Sequence, residues 1–175
     1  MNASRTYWYS FHLADDPLPI GNENLRITDA SSEEGFRMFV GTHLKAYGEE
    51  SGEEVLDMYR REVEEGVIDR DKMLVALQGG NPVACVSYEV LEKPDGLKYV
   101  LMHNLGVDRT FQGKGLAQDV MRMILNGFLD DFGPGTLVLG DVRAEDDAPI
   151  SVLQAVGFRR VDPEPWFPFP STELR

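Results

Sequence analysis

The sequence predicts an α/β fold of three layers around a mixed, mostly antiparallel sheet, with helices on both faces. Two observations lead there. Apolar residues recur three and four apart in two early segments and two late ones, as buried helix faces require, and between them lie short apolar runs separated by glycine- and proline-rich turns. The order of the elements supplies the third: a strand, two helices, three meandering strands, a helix, a strand, a helix and a last strand.

Residues 1–22 read as an N-terminal extension, aromatic at "TYWYSFH" and closed by "DDPLPIGN", whose prolines and glycine forbid a continuous helix and which packs either on the domain or on a second subunit. Residues 23–175 form the single domain, a count that suits a chain of 175 residues. A strand at Leu25 to Ile27 precedes "DASSEEGF", where capping residues stand before acids in a first helical turn. The helix places Phe36, Phe39, Val40, His43, Leu44 and Tyr47 on one face, which makes His43 a packed core histidine. A second helix from Glu53 to Glu65 aligns Val55, Tyr59 and Val63 before Gly66. "KMLVAL", "PVACVSYEV" and "LKYVLMHNLGV" are three antiparallel strands joined through "QGGN" and "EKPDG". A long helix with Leu116, Val120, Ile124 and Phe128 on one face ends at "DDFGPG". "TLVLGDV", "APISVLQAVG" and "FRRV" complete the chain as strand, helix and strand.

Composition narrows the function. A formal net charge of −13 argues against nucleic acid, whose phosphates need a concentrated basic face. No apolar run reaches the roughly 18 residues of a membrane span, and the N-terminus lacks a signal-peptide layout, so a cytoplasmic location is expected. One cysteine, Cys85, and three scattered histidines give no metal cluster. Between Glu33 and Glu65 ten carboxylates face four cations, which reads first as a solvated helix face and second as a field that attracts a cationic substrate.

The stretch "FQGKGLA", Phe111 to Ala117, sits between a strand and a helix. It is no P-loop, because Gly115 follows Lys114 where Ser or Thr is needed, and Asp119 and Val120 leave no third glycine for a dinucleotide fingerprint. Glycines that admit backbone N–H groups, followed by a helix N-terminus, still suit a pyrophosphate. With the strand before it, "NLGVDRTFQGKGLA" resembles motif A of the GNAT family of acetyl-CoA-dependent N-acetyltransferases. That pattern is L-x-V on a strand, here Leu105 and Val107, then [QR]-x-x-G-x-[GA], met by Gln112, Gly113, Lys114, Gly115, Leu116 and Ala117. The resemblance covers residues 24–162 and extends to the order of elements.

It implies a GNAT-like fold with acetyl-CoA as co-substrate. The loop from Gln112 to Ala117 would hold the pyrophosphate, Lys114 would add charge, and the strand of Leu105 and Val107 would splay from its neighbour and pair with the pantetheine arm. The amine needs a base to become a nucleophile. His103 is the first candidate, a type that titrates near neutral pH at a position resembling one of two strand histidines in a branch of the family; the other falls on Leu101. Glu89 competes for the role. The family's N-x-x-A-I-x-L-Y-x-x-x-G-F pattern, aligned on Gly157 and Phe158, places Asp146 at the Asn and Leu153 at the tyrosine expected near the sulfur. The phenol is missing. Either the thiolate leaves unassisted or through water, or Tyr88, Tyr99 or Ser151 substitutes, or acetyl transfer has been lost. The expected acceptor is a small-molecule primary amine. The alternatives are a protein or peptide amine, or a non-catalytic acyl-CoA-binding module. "PEPWFPFP", Pro163 to Pro170, reads as a subunit contact in a homodimer or as a pocket wall.

Overall fold

A computed structural model describes residues 5–48, 52–111, 113 and 115–168, with Asn104 known by its backbone alone. Gln112 and Lys114 of the predicted loop, and Phe169 and Pro170 of the aromatic segment, lie outside the described residues. The strands are β1 (Thr6–His12), β2 (Leu25–Asp29), β3 (Met73–Gln78), β4 (Asn81–Glu92), β5 (Lys98–Val107), β6 (Leu137–Arg143) and β7 (Arg159–Val161). The helices are α1 (Glu33–Tyr47), α2 (Gly52–Glu64), α3 (Leu116–Phe132) and α4 (Asp147–Val156). The hydrogen-bonded strand order is β2-β3-β4-β5-β6-β1-β7. β1 with β6 and β7, β2 with β3 and β3 with β4 are antiparallel and β5 with β6 is parallel, so the α/β class and the mixed, mostly antiparallel sheet match the expectation.

The chain forms two compact units. One comprises Ile20–Glu89 and Asn104–Val120. Ser32 caps α1 by accepting the Gly35 N–H at 2.9 Å, with Glu33 and Glu34 in the first turn where the helix dipole favours them. The stripe read from the sequence is the buried face: Phe36, Phe39 and Val40 pack with Leu56 and Tyr59 of α2, Met73 and Val75 of β3, and Cys85 of β4. Phe39 meets Tyr59 edge to face, with centroids 5.4 Å apart. The β3–β4 hairpin turns on Gly79 and Gly80, whose φ values of 55° and 84° are those a two-residue type I′ turn requires. Much of the acidic run is solvated, as first read, but Glu33 ties α1, α2 and the turn after α2 by pairing with Arg37 (3.3 Å), Arg60 (3.0 Å) and Arg70 (3.6 Å). The Arg60 hydrogen bond holds its carboxyl below the usual range.

Cys85 lies in this core, and burial pushes its thiol up to about 12. An aromatic disulfide reagent at pH 8 is therefore expected to leave the native protein unlabelled and to react once denaturant opens the core; prompt native labelling would contradict the packing.

The other unit comprises Met1–Pro19, Val90–His103 and Met121–Arg175. Here the structure departs from the expectation for residues 1–22. "TYWYSFH" is β1, antiparallel to β6 from Thr6↔Arg143 to His12↔Leu137 and to β7 from Trp8↔Val161 to Ser10↔Arg159. The "DDPLP" stretch is held as well, because the Asn126 side chain of α3 accepts the Leu18 N–H at 2.7 Å and donates to the Leu18 carbonyl at 2.9 Å. Trp8, Tyr99, Leu101, Leu137 and Leu139 form one core cluster of this unit, with Trp166 and Phe167 packed on it. Phe167 meets Trp8 at 5.1 Å and Trp166 meets Tyr99 at 5.3 Å between centroids, so the aromatic segment has a use inside the chain.

Candidate active site

β5 carries both Leu105 and Val107, and the chain leaves it through a turn set by Asp108. Asp108 is 7% exposed; its N–H donates to the Val83 carbonyl (2.9 Å), and its carboxylate accepts the Thr110 N–H (2.9 Å) and hydroxyl (2.8 Å). These bonds fold Arg109–Phe111 into a short 3₁₀ turn between β5 and α3. Sequence reasoning passed over Asp108, although D-x-T at the end of a strand signals such a turn.

The glycine loop follows. Gly113 and Gly115 have φ values of 79° and 72°, left-handed backbone that suits glycine, and a Cβ added at either would meet nothing within 4 Å. Their demand is therefore conformational, and the open space beside them is what close approach of a ligand to the backbone needs. α3 begins at the next residue, Leu116, so its unpaired N–H groups open beside the loop. Leu116 is buried at 5% exposure and anchors the helix, and Ala117 is half-buried.

β5 is braced by the end of α1. A Cβ on Gly106 would come within 2.8 Å of the Ala46 Cβ and 3.3 Å of the Tyr47 ring, so glycine permits the close approach. The Tyr47 hydroxyl donates to the Leu105 carbonyl at 2.7 Å, and Arg109 Nε donates to the Ala46 carbonyl at 3.3 Å. His43 is 1% exposed, as expected of a core histidine; its ring lies 4.6 Å from that of Tyr47, and its Nδ1 is 3.3 Å from the Tyr59 hydroxyl.

Of the candidate bases, His103 is half-buried on β5 with its Nδ1 shut off from solvent, and Glu89 is half-buried on β4. The parallel register of β5 with β6 runs from Tyr99↔Leu137 to Met102↔Gly140, next to His103. Asp146 precedes α4 and pairs with Arg143 at 3.2 Å. Leu153 is 2% exposed within α4, a packing residue. Among the substitutes weighed for its hydroxyl, Tyr99 is a core residue at 2% exposure, Tyr88 is half-buried and Ser151 is exposed.

Residues 34–158 match the model of the acetyltransferase (GNAT) family. The chain belongs to that family. A relative is the N-alpha-acetyltransferase RimI of Mycobacterium tuberculosis H37Rv, 33% identical over 86 residues, which are 49% of this chain and 51% of the relative. A GCN5-related N-acetyltransferase from Sphaerobacter thermophilus shares the fold at a TM-score of 0.62 and 17% identity, over 89% of this chain and 48% of that one. Glucosamine-6-phosphate N-acetyltransferase from Arabidopsis thaliana does so at 0.53 and 19%, over 84% and 99%. The chain thus spans about half the length of the first two. Motif A of the GNAT pattern falls on the β5, turn and α3 assembly described above.

A separate cavity of about 460 Å³ lies in the unit of β1, lined by His12, Lys93, Asp95, Glu164, Trp166 and Phe167 among others. None of its residues is a predicted cofactor or catalytic residue.

Proposed function

We propose that the chain transfers an acetyl group from acetyl-CoA to a primary amine. The observation that carries this is the pair of left-handed glycines, Gly113 and Gly115, with open space beside them and a helix starting at the next residue. The site fits the co-substrate, since an extra Cβ there would occupy the approach to the backbone without touching protein. Gly113, Gly115, Leu116 and Ala117, with Gln112 and Lys114, are the residues for the pyrophosphate, and backbone groups of Leu105 and Val107 for the pantetheine amides. Asp146 is assigned to the cofactor side through its match to the family's Asn.

Bound there, acetyl-CoA supplies an activated thioester. The chain's part is to hold it in place, which can contribute several powers of ten, and to remove a proton from the acceptor ammonium. His103 takes that role in this reading, with Glu89 as the competing base. Replacing His103 by Gln is expected to flatten the acid limb of the kcat/KM profile, and an unchanged profile would remove it from the mechanism.

A small-molecule amine is the first choice of acceptor, because the exposed carboxylates Glu53, Glu54 and Asp57 of α2 attract cations. The similarity to RimI, an N-alpha-acetyltransferase by name, favours a second reading, a peptide α-amine. Thiol release from acetyl-CoA, followed across polyamines, arylalkylamines, amino acids and peptides, separates them. Release with peptides alone would select the second. Tight coenzyme A binding with no acceptor-dependent release anywhere would sink the enzyme and leave a binding module.

A further inference from the structure

The proton that must reach the departing sulfur has no donor at Leu153, and the structure offers one elsewhere. Tyr47, the last residue of α1, extends its phenol to β5 and donates to the carbonyl oxygen of Leu105 at 2.7 Å. The ring stacks beside His43 at 4.6 Å between centroids and lies against the strand at Gly106, while the Arg109 bond to the Ala46 carbonyl fixes the helix end. At 37% exposure it remains in reach of solvent.

We propose that Tyr47 is the proton donor of the transfer, stored on the Leu105 carbonyl until the co-substrate arrives; this rests on the acetyl-CoA reading above. A carbonyl on a strand that receives an extended ligand is an acceptor for the ligand's amide N–H. The carbonyl oxygen has two lone pairs, but an amide of the incoming arm that lines up with it competes with the phenol for that oxygen and frees the Tyr47 O–H to turn to another acceptor. In the reaction the amine nitrogen bonds to the acetyl carbon and the carbon–sulfur bond breaks with its electron pair going to sulfur. Tyr47 gives its proton to that sulfur. The phenolate recovers a proton from the one shed by the amine, so the phenol is regenerated and the net change is an amine proton moved to a thiol.

Two properties of Tyr47→Phe then move in opposite directions. Coenzyme A binding, measured by calorimetry, becomes about two- to tenfold tighter, because one neutral hydrogen bond no longer competes for the Leu105 oxygen. The kcat falls about 10²-fold or more, with no rise in KM for acetyl-CoA. A merely structural tyrosine would weaken binding and turnover together. Fluorinated tyrosines placed at position 47 keep the shape and change the acidity of the phenol, and kcat is expected to follow that acidity. Unchanged kcat in Tyr47→Phe, weaker coenzyme A binding by that variant, or a flat fluorotyrosine series would each overturn the proposal while leaving the acetyl-CoA reading intact. If the wild-type chain binds no coenzyme A, both fall.

Discussion

Gly115→Val is expected to weaken coenzyme A binding by about ten- to a hundredfold in a chain that still folds. At φ 72° a β-branched residue is strained, by about 1–3 kcal/mol, and the backbone escapes by moving its N–H groups off the line they now hold. A Cβ at this position has open space around it, so the side chain enters the room the ligand needs with little cost to packing. Strain alone is controlled by Gly66→Val. Gly66 also has φ 72° and open surroundings, but it follows α2 and is no part of the loop. Calorimetry with coenzyme A on both variants, beside their melting temperatures, decides the matter. Equal loss of stability with loss of affinity only at Gly115 is the expected pattern, and full affinity in Gly115→Val would remove the loop from the cofactor site.

Gly106→Ala should cost about 1–3 kcal/mol, since its methyl would lie 2.8 Å from the Ala46 Cβ, closer than packed carbons approach. The relief must come from α1 moving off β5, which also withdraws Tyr47 from Leu105. Ala46→Gly in the same chain removes the opposing methyl, so the double variant should recover stability, less the ~1 kcal/mol that glycine costs within a helix. Denaturant titration of both singles and the double measures this coupling, and strictly additive losses would show that the two methyls do not meet.

These two positions mark what the sequence could and could not reveal. Gly113 and Gly115 were legible because a tight turn between strand and helix writes its glycines into adjacent residues. The face of α1 was legible for the same reason, periodicity being local. Tyr47 also lay on that predicted face, yet its function is a bond to Leu105, 58 positions away, which no local pattern records. A tyrosine closing an apolar stripe was still a clue, since a phenol set against a core usually finds a partner for its hydroxyl. β1 was missed on similar grounds. Its aromatic residues suit a strand, but the neighbouring prolines and glycine hid that, and its partners lie almost at the other end of the chain. Leu153 is buried, in keeping with the packing role read for it in the sequence.

The position of β1 also sets an order of events. Thr6 pairs with Arg143 and His12 with Leu137, and β7, at the sheet's end, is laid against β1. β1 therefore waits for β6 and β7, which follow it much later in the chain, before its pairings can form. Such remote pairings slow folding, because a long loop must close before any of its contacts form. The β6-β1-β7 part of the sheet is thus expected to be a late-assembling seam, closed by strands that lie far apart in sequence.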